Sequence, residues 1–251
     1  MQKILSITIL LSLALSLSAL AFRDGEKLVF DVRYGLVSAA EATLEVKSDV
    51  YRGREVWHLS TKARTYPFFD VFFRVRDTVE SWWDKESLLP HKFAKNLQEG
   101  TYRQHRIHHF DHNQKSTTYQ KWSFKDKRFN SEQLEIPITT QDVLSAFYHV
   151  RNQELKPGKR LTMSITSDGR SLSTDIVVHR REKVKSIFGT IQCLVIEPKL
   201  KGEGVFKQSG KITIWITDDA FKIPVKLESA VTFGSFVATL KTAENVPYII
   251  K

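Results

Sequence analysis

From residue 27 onward the chain alternates between apolar and polar positions. Leu28, Phe30, Val32 and Tyr34 alternate with Lys27, Val29, Asp31 and Arg33, and Ala42, Leu44 and Val46 alternate with Thr43, Glu45 and Lys47. A period of two places every second side chain on one face of a sheet, so these runs predict half-buried strands. Similar runs recur at 55–63, 74–83, 102–110, 117–124, 161–166, 171–178, 190–196, 211–217, 223–229 and 231–240. Short turns between many of them imply antiparallel pairing. In Ser167-Asp168-Gly169-Arg170, Asp-Gly supplies the positive-φ residues of a tight hairpin between Leu161-Met163-Ile165 and Leu172-Thr174-Ile176-Val178.

One segment departs from this period. Thr139-Thr140-Gln141-Asp142 leads into Val143, Leu144, Phe147, Val150 and Arg151, an apolar stripe at helical spacing. It predicts one amphipathic helix at about 140–153, capped by Thr139 or Thr140, with Asp142 in its positively polarised first turn and Lys156-Pro157-Gly158 beyond its end. A long open sheet would leave two unpaired edges and one unpacked face. The expected fold is therefore all-β: a strongly curved antiparallel sheet, barrel or half-barrel, with the helix as plug or cover.

The first residues follow a different rule. Lys3 precedes a run from Ile4 to Leu20 interrupted only by Ser and Thr, and the run ends in Ala19-Leu20-Ala21 before the polar Arg23-Asp24-Gly25. This is the profile of a secretory signal peptide over 1–21, cut after Ala21, with 22–251 forming a single β-rich domain. The competing reading is an uncleaved anchor, which usually needs about 20 apolar residues. No Cys lies near the cut, so lipid modification of a new N-terminus is excluded.

Composition fits a globular exported domain, with 41% hydrophobic and 26% charged residues and no linker-like tract. Cys193 is the only cysteine, so packing rather than an internal disulfide must stabilise the chain; its apolar setting, Ile191 to Ile196, predicts a buried, inert thiol. The net charge of +10 suits a protein that meets anionic envelope surfaces. Nucleic acid is absent from that compartment. The densest basic run, His179 to Lys185, is read as a solvated strand end and turn.

Phe22-x-x-Gly25-Glu26-x-Leu28-x-Phe30-x-Val32-x-Tyr34-Gly35, Gln141-Asp142-x-Leu144-Ser145-Ala146-Phe147-Tyr148-x-x-Arg151, Asp218-Asp219 with Pro224-Val225, and Phe233-Gly234 with Ala238 and Leu240 together resemble a bacterial family of exported proteins, the domain of unknown function 3108. The resemblance spans nearly the whole of 22–251. It implies an all-β envelope protein and brings no activity, cofactor or catalytic residue with it. A Gram-negative periplasm follows from it together with the missing lipid anchor, with secretion as the alternative.

Candidate chemistry is sparse. Four of the eight histidines fall within His105 to His112. On a strand His105, His109 and Asp111 would share one face and His108 and His112 the other, a spacing that matches no zinc pattern; an exposed strand end and turn is the preferred reading over a metal site. Asp218-Asp219 reads as an Asx turn rather than the facing carboxylate pair of a glycosidase. No nucleophile elbow, phosphate loop or other catalytic signature occurs, and no cofactor is expected.

The second unusual segment is Thr65 to Val75, with five aromatics within eight residues, followed by Trp82-Trp83. Such a cluster is either core or ligand surface, core being preferred. As ligand surface, Tyr66, Phe68, Phe69, Phe72, Trp82 and Trp83 would hold an acyl chain or stack on sugars. The expected function is a monomeric, non-catalytic binding or carrier protein for a lipid or glycan. The alternatives are a scaffold docking on anionic envelope partners and a hydrolase whose site is not readable from one sequence.

Overall fold

The structure is a computed structural model that describes residues 20–200, 211–230 and 234–248. Fourteen strands and two helices follow in the order β1 (Lys27–Tyr34), β2 (Val37–Tyr51), β3 (Arg54–Thr65), α1 (Pro67–Asp70), β4 (Arg76–Asp84), β5 (Pro90–Glu99), β6 (Tyr102–Asp111), β7 (Ser116–Ser123), β8 (Arg128–Glu135), α2 (Val143–Arg151), β9 (Arg160–Ser167), β10 (Arg170–Ser186), β11 (Gly189–Leu200), β12 (Ile212–Thr217), β13 (Pro224–Ala230) and β14 (Ser235–Glu244). The strands all lie in one antiparallel sheet, ordered β8-β7-β6-β5-β4-β3-β2-β1-β14-β13-β12-β11-β10-β9. This is an up-and-down meander in which the last strand pairs with the first, and the break falls between β8 and β9. The sheet is curved but not closed. The connection across the break carries α2, and Gln141 makes an isolated parallel bridge to Ile165 of β9.

The break is spanned by a hairpin. At the β9–β10 turn Asp168 and Gly169 both have positive φ, 53° and 79°, as the Asp-Gly sequence predicts. Its tip reaches β5 and β6, where Lys95 Nζ and Arg106 Nη1 donate to the Asp168 carboxylate at 2.6 and 2.7 Å. A Cβ on Gly169 would come within 2.8 Å of the Tyr119 ring, so this position needs glycine for space as well as for φ.

Several expectations are corrected. α2 is capped by Asp142, not by Thr139 or Thr140: Asp142 Oδ1 accepts from Leu144 N and Ser145 N at 2.8 Å each, while Ser145 Oγ accepts from Asp142 N, a reciprocal capping box. Thr140 Oγ1 instead shares hydrogen bonds with Ser164 and Thr166. The helix ends at Asn152, before Lys156-Pro157-Gly158. The basic run 179–185 lies inside β10, which continues to Ser186. Two strands escape the periodicity: β5 turns the charged Lys95 inward between Phe93 and Leu97, and β8 is a polar edge strand exposed along most of its length. Of the expected leader, only Leu20 and Ala21 lie within the described residues.

Candidate functional site

Register carries one face of the sheet across six strands. Val46, Leu59, Ser81, Phe93, His108 and Tyr119 are successive cross-strand partners from β2 to β7, and all are buried. Ser81 in that row donates to Asp142 Oδ2 at 2.6 Å, so this is the face that carries α2. Two residues toward the β1–β2 turn, the next row reads Leu44, Thr61, Val79, Lys95 and Arg106. Its last two members hold Asp168. Its first three line a cavity.

This cavity, of about 450 Å³, lies between α2 and the sheet. Its wall is built from Val143, Ala146, Phe147 and Val150 of α2, from Phe30, Ala42 and Leu44 of β1 and β2, and from Ile165, Ile176, Ile196, Ile214 and Ala238 across β9 to β14. Thr43 and Thr61 are the polar residues in the lining. The size falls within the range of about 300–1,000 Å³ typical of small-molecule sites. Two lining residues, Val143 and Ile212, are 53% and 39% exposed, so the cavity reaches solvent. Among the described residues no Asp, Glu, His, Lys, Arg or Cys lines it. Its chemistry is to remove apolar surface from water.

The helix that roofs the cavity is held at both ends by buried polar groups. At its start, burial pushes the Asp142 carboxyl up to about 6 despite its bonds from Ser81, Ser145 and Leu144. Gln141 Nε2 donates to the Leu88 carbonyl, 2.9 Å, and the Gln141 main chain pairs with Ser164 and Thr166 of β9. At its end Arg151, fully buried, grips Glu26 at 2.6 and 2.9 Å and donates to the carbonyls of Ala21 and Phe221. Removing one partner of such a pair leaves a bare buried charge, a loss of about 3–5 kcal/mol. The Phe221 carbonyl is fixed in turn by Asp219, whose Oδ1 accepts from Phe221 N, Lys222 N and Thr217 Oγ1. Asp218 makes a surface ion pair with Arg181.

Glu26, Gln141, Asp142, Arg151 and Asp219 thus clamp α2 at its two ends, whereas Asp218 takes no part. Asp142 and Asp219 serve opposite ends of that helix and do not meet.

The aromatic candidates divide. Trp83 is fully buried and packs near Phe22, with ring centroids 6.1 Å apart, while its neighbour Trp82 points to the opposite face, stacked on His58 at 4.7 Å with Lys92 above it at 4.0 Å. Tyr66 Oη donates to Asp31. Phe68, Phe69 and Phe72 do gather in and after α1, their rings in edge contact, but Phe68 and Phe72 are 69% and 73% exposed. That corrects the preferred reading of this segment as core. None of the six lines the cavity.

The histidine-rich strand β6 divides by register. His105 packs edge-on against Phe129, His109 Nδ1 hydrogen-bonds Tyr51 Oη, and Asp111 Oδ1 accepts from Gln114 N in the following turn. No three His, Cys, Asp or Glu side chains converge as a metal set among the described residues. His108 faces inward, where burial lowers its pKa to about 4. Burial likewise pushes the Cys193 thiol up to about 12.

Among solved structures the chain superposes on a β-barrel-like protein of domain of unknown function DUF1849 from Brucella abortus, with a TM-score of 0.60, 11% identity, and coverage of 91% of this chain and 100% of the other. A Bacteroides fragilis protein with a YmcC-like fold matches at a TM-score of 0.32 and 10% identity, over 89% of this chain and 97% of that one, too loosely to bear on the fold. No curated protein sequence matches. The family model described as protein of unknown function DUF3108 matches residues 29–241, from within β1 to within β14, and the chain therefore belongs to the DUF3108 family.

Proposed function

We propose that this protein is an exported, non-catalytic carrier of the cell envelope that holds an apolar, acyl-type ligand in the cavity beneath α2. The observation that carries the reading is the cavity itself: about 450 Å³, open to solvent, and apolar except for two threonines among the described residues. A glycan suits this lining poorly, because each buried hydroxyl needs a partner and the walls offer few. The hydrolase alternative lacks support, since among the described residues no histidine lines the cavity and neither Asp142 nor Asp219 belongs to its lining.

The test is native mass spectrometry of the protein recovered without detergent from its own envelope, followed by binding of a fluorescent fatty acid. A stoichiometric lipid, and a loss of probe binding of about tenfold or more in Ala146→Trp (helix wall) and in Ala238→Trp (sheet wall), are the expected results, because either indole fills space the ligand needs. A bare mass together with undiminished probe binding in both variants would sink the carrier reading.

A further inference from the structure

The antiparallel meander sends the β1–β2, β3–β4, β5–β6 and β7–β8 turns and the starts of β12 and β14 to one end of the sheet. Of the fourteen large hydrophobic side chains that are exposed among the described residues, eleven lie at this end. Leu36 and Val71, at 90% and 81%, are the most exposed, and Phe68, Phe72, Phe73 and Phe124 all exceed half exposure. Globular surfaces rarely gather apolar side chains this way without a use for them.

The patch is built rather than frayed. Tyr66 N donates to the Ala39 carbonyl, which ties the start of α1 to β2; Gly100 N donates to the Arg74 carbonyl, and the Phe73 ring lies so close to Gly100 that a Cβ there would meet it at 2.8 Å. Asp70 is locked by Arg76, with Thr65 donating to the same carboxylate.

Cations surround it. Within the 35–36, 66–75, 100–101 and 124–127 turns Arg74, Lys125 and Lys127 are exposed against one exposed carboxylate, Asp126; beside them Arg33, Arg103 and Arg64 are exposed, the last paired with Glu41. Arg33 and Arg103 donate to carbonyls of their own turns, Leu36 and Gly100, which holds their charge at the rim. The rim also meets the cavity: Ile212 lines it and belongs to this end.

We propose that this rim is a docking surface for an anionic lipid bilayer. The α1 and β1–β2 apolar side chains enter the headgroup region, and the encircling Arg and Lys contact lipid phosphates. Aromatic and aliphatic tips flanked by cations are the chemistry that an interface between water and acyl chains selects, each contribution being marginal alone and sufficient in combination. A protein partner would not need both a ring of cations and several unshielded phenyl groups. The surface goes beyond the carrier reading, since it stands whether or not the cavity is filled.

The test is sedimentation of the protein, as recovered from its own cells, with vesicles of phosphatidylethanolamine and phosphatidylglycerol and, in parallel, with phosphatidylcholine vesicles. The expected result is binding to the anionic vesicles that weakens as salt rises, and a loss of about fivefold or more in Phe68→Ser/Phe72→Ser with an unchanged melting temperature, because both side chains are already exposed. The cavity-filled Ala238→Trp variant should sediment as wild type does, which separates failure of this surface from failure of the carrier. Absent binding to anionic vesicles, or equal binding by wild type and the double serine variant, would overturn the proposal.

Discussion

At the residue scale, the inward-facing His108 links the sheet face to the hairpin that crosses its break. Gly169 N donates to its Nε2 at 3.3 Å, so Nδ1 carries the proton and points at Thr117 Oγ1. Burial is the main cause of its low pKa; Lys95, Arg106 and His109 add to the lowering and Asp168 opposes it. With a folded value of about 4 against 6.5, the unfolded chain binds more protons between those values, so His108 withdraws stability as pH falls through that window. The amount is about 3 kcal/mol at most. Asp142 runs the other way. Its raised folded pKa, about 6 against 3.8, makes the folded state the better proton acceptor, and its contribution grows as pH falls from 6 to 4. The two nearly offset, which would hide both in a simple pH titration of stability. The stability difference between wild type and His108→Gln, measured by urea unfolding, isolates the histidine: it should move against wild type by about 3 kcal/mol between pH 6.5 and pH 4. A difference independent of pH would show that His108 titrates normally in the fold.

At the scale of elements, the β9–β10 hairpin ties one side of the break to the sheet face opposite, at β5 and β6. Its ion pairs are partly buried, with side chains 17%, 21% and 29% exposed for Lys95, Arg106 and Asp168, so they count for more than surface pairs do. Asp168→Ala should speed hydrogen exchange of the hairpin amides from Ile165 to Leu172 about tenfold while leaving α2 amides unchanged; uniform change across both would mean global destabilisation instead. The hairpin itself was legible in the sequence, because Asp-Gly has few other uses between two alternating runs. Most strands were legible for the same local reason. β5 was not, since Lys95 occupies an inward position and its partner, Asp168, lies 73 residues away. The cap of α2 is not legible locally, because Thr139, Thr140 and Asp142 fall within four residues and Ser81, which bonds Asp142, comes from β4. Glu26 and Arg151 are visible as part of a pattern, but they meet across 125 positions, so their role as a clamp needs the fold. The cavity left no sequence signal at all. Its lining is the ordinary inward face of many strands, and only the curvature of the whole sheet separates it from core.

At the scale of the molecule, one end of the roll is closed by core, with Phe22, Trp57, Trp83 and Tyr148 in edge and tilted contact, and the other bears the exposed apolar rim. On the proposed carrier and docking readings this polarity matters, because Ile212, which lines the cavity, belongs to the rim end. The order of strands has a further consequence, in time rather than space. β14 is the seam between β1 and β13, and it brings Lys27 beside Glu244 across 217 residues. Before β14 is available the chain is two separate sheets, each with a raw edge where the seam should be, and such distant pairings form slowly. A chain ending at Gly234 should therefore show no cooperative melting transition, whereas one ending at Tyr248 should melt like the full chain. The architecture thus makes β14 a latch: the two half-sheets stay uncommitted to each other until the strand that follows them both is in place.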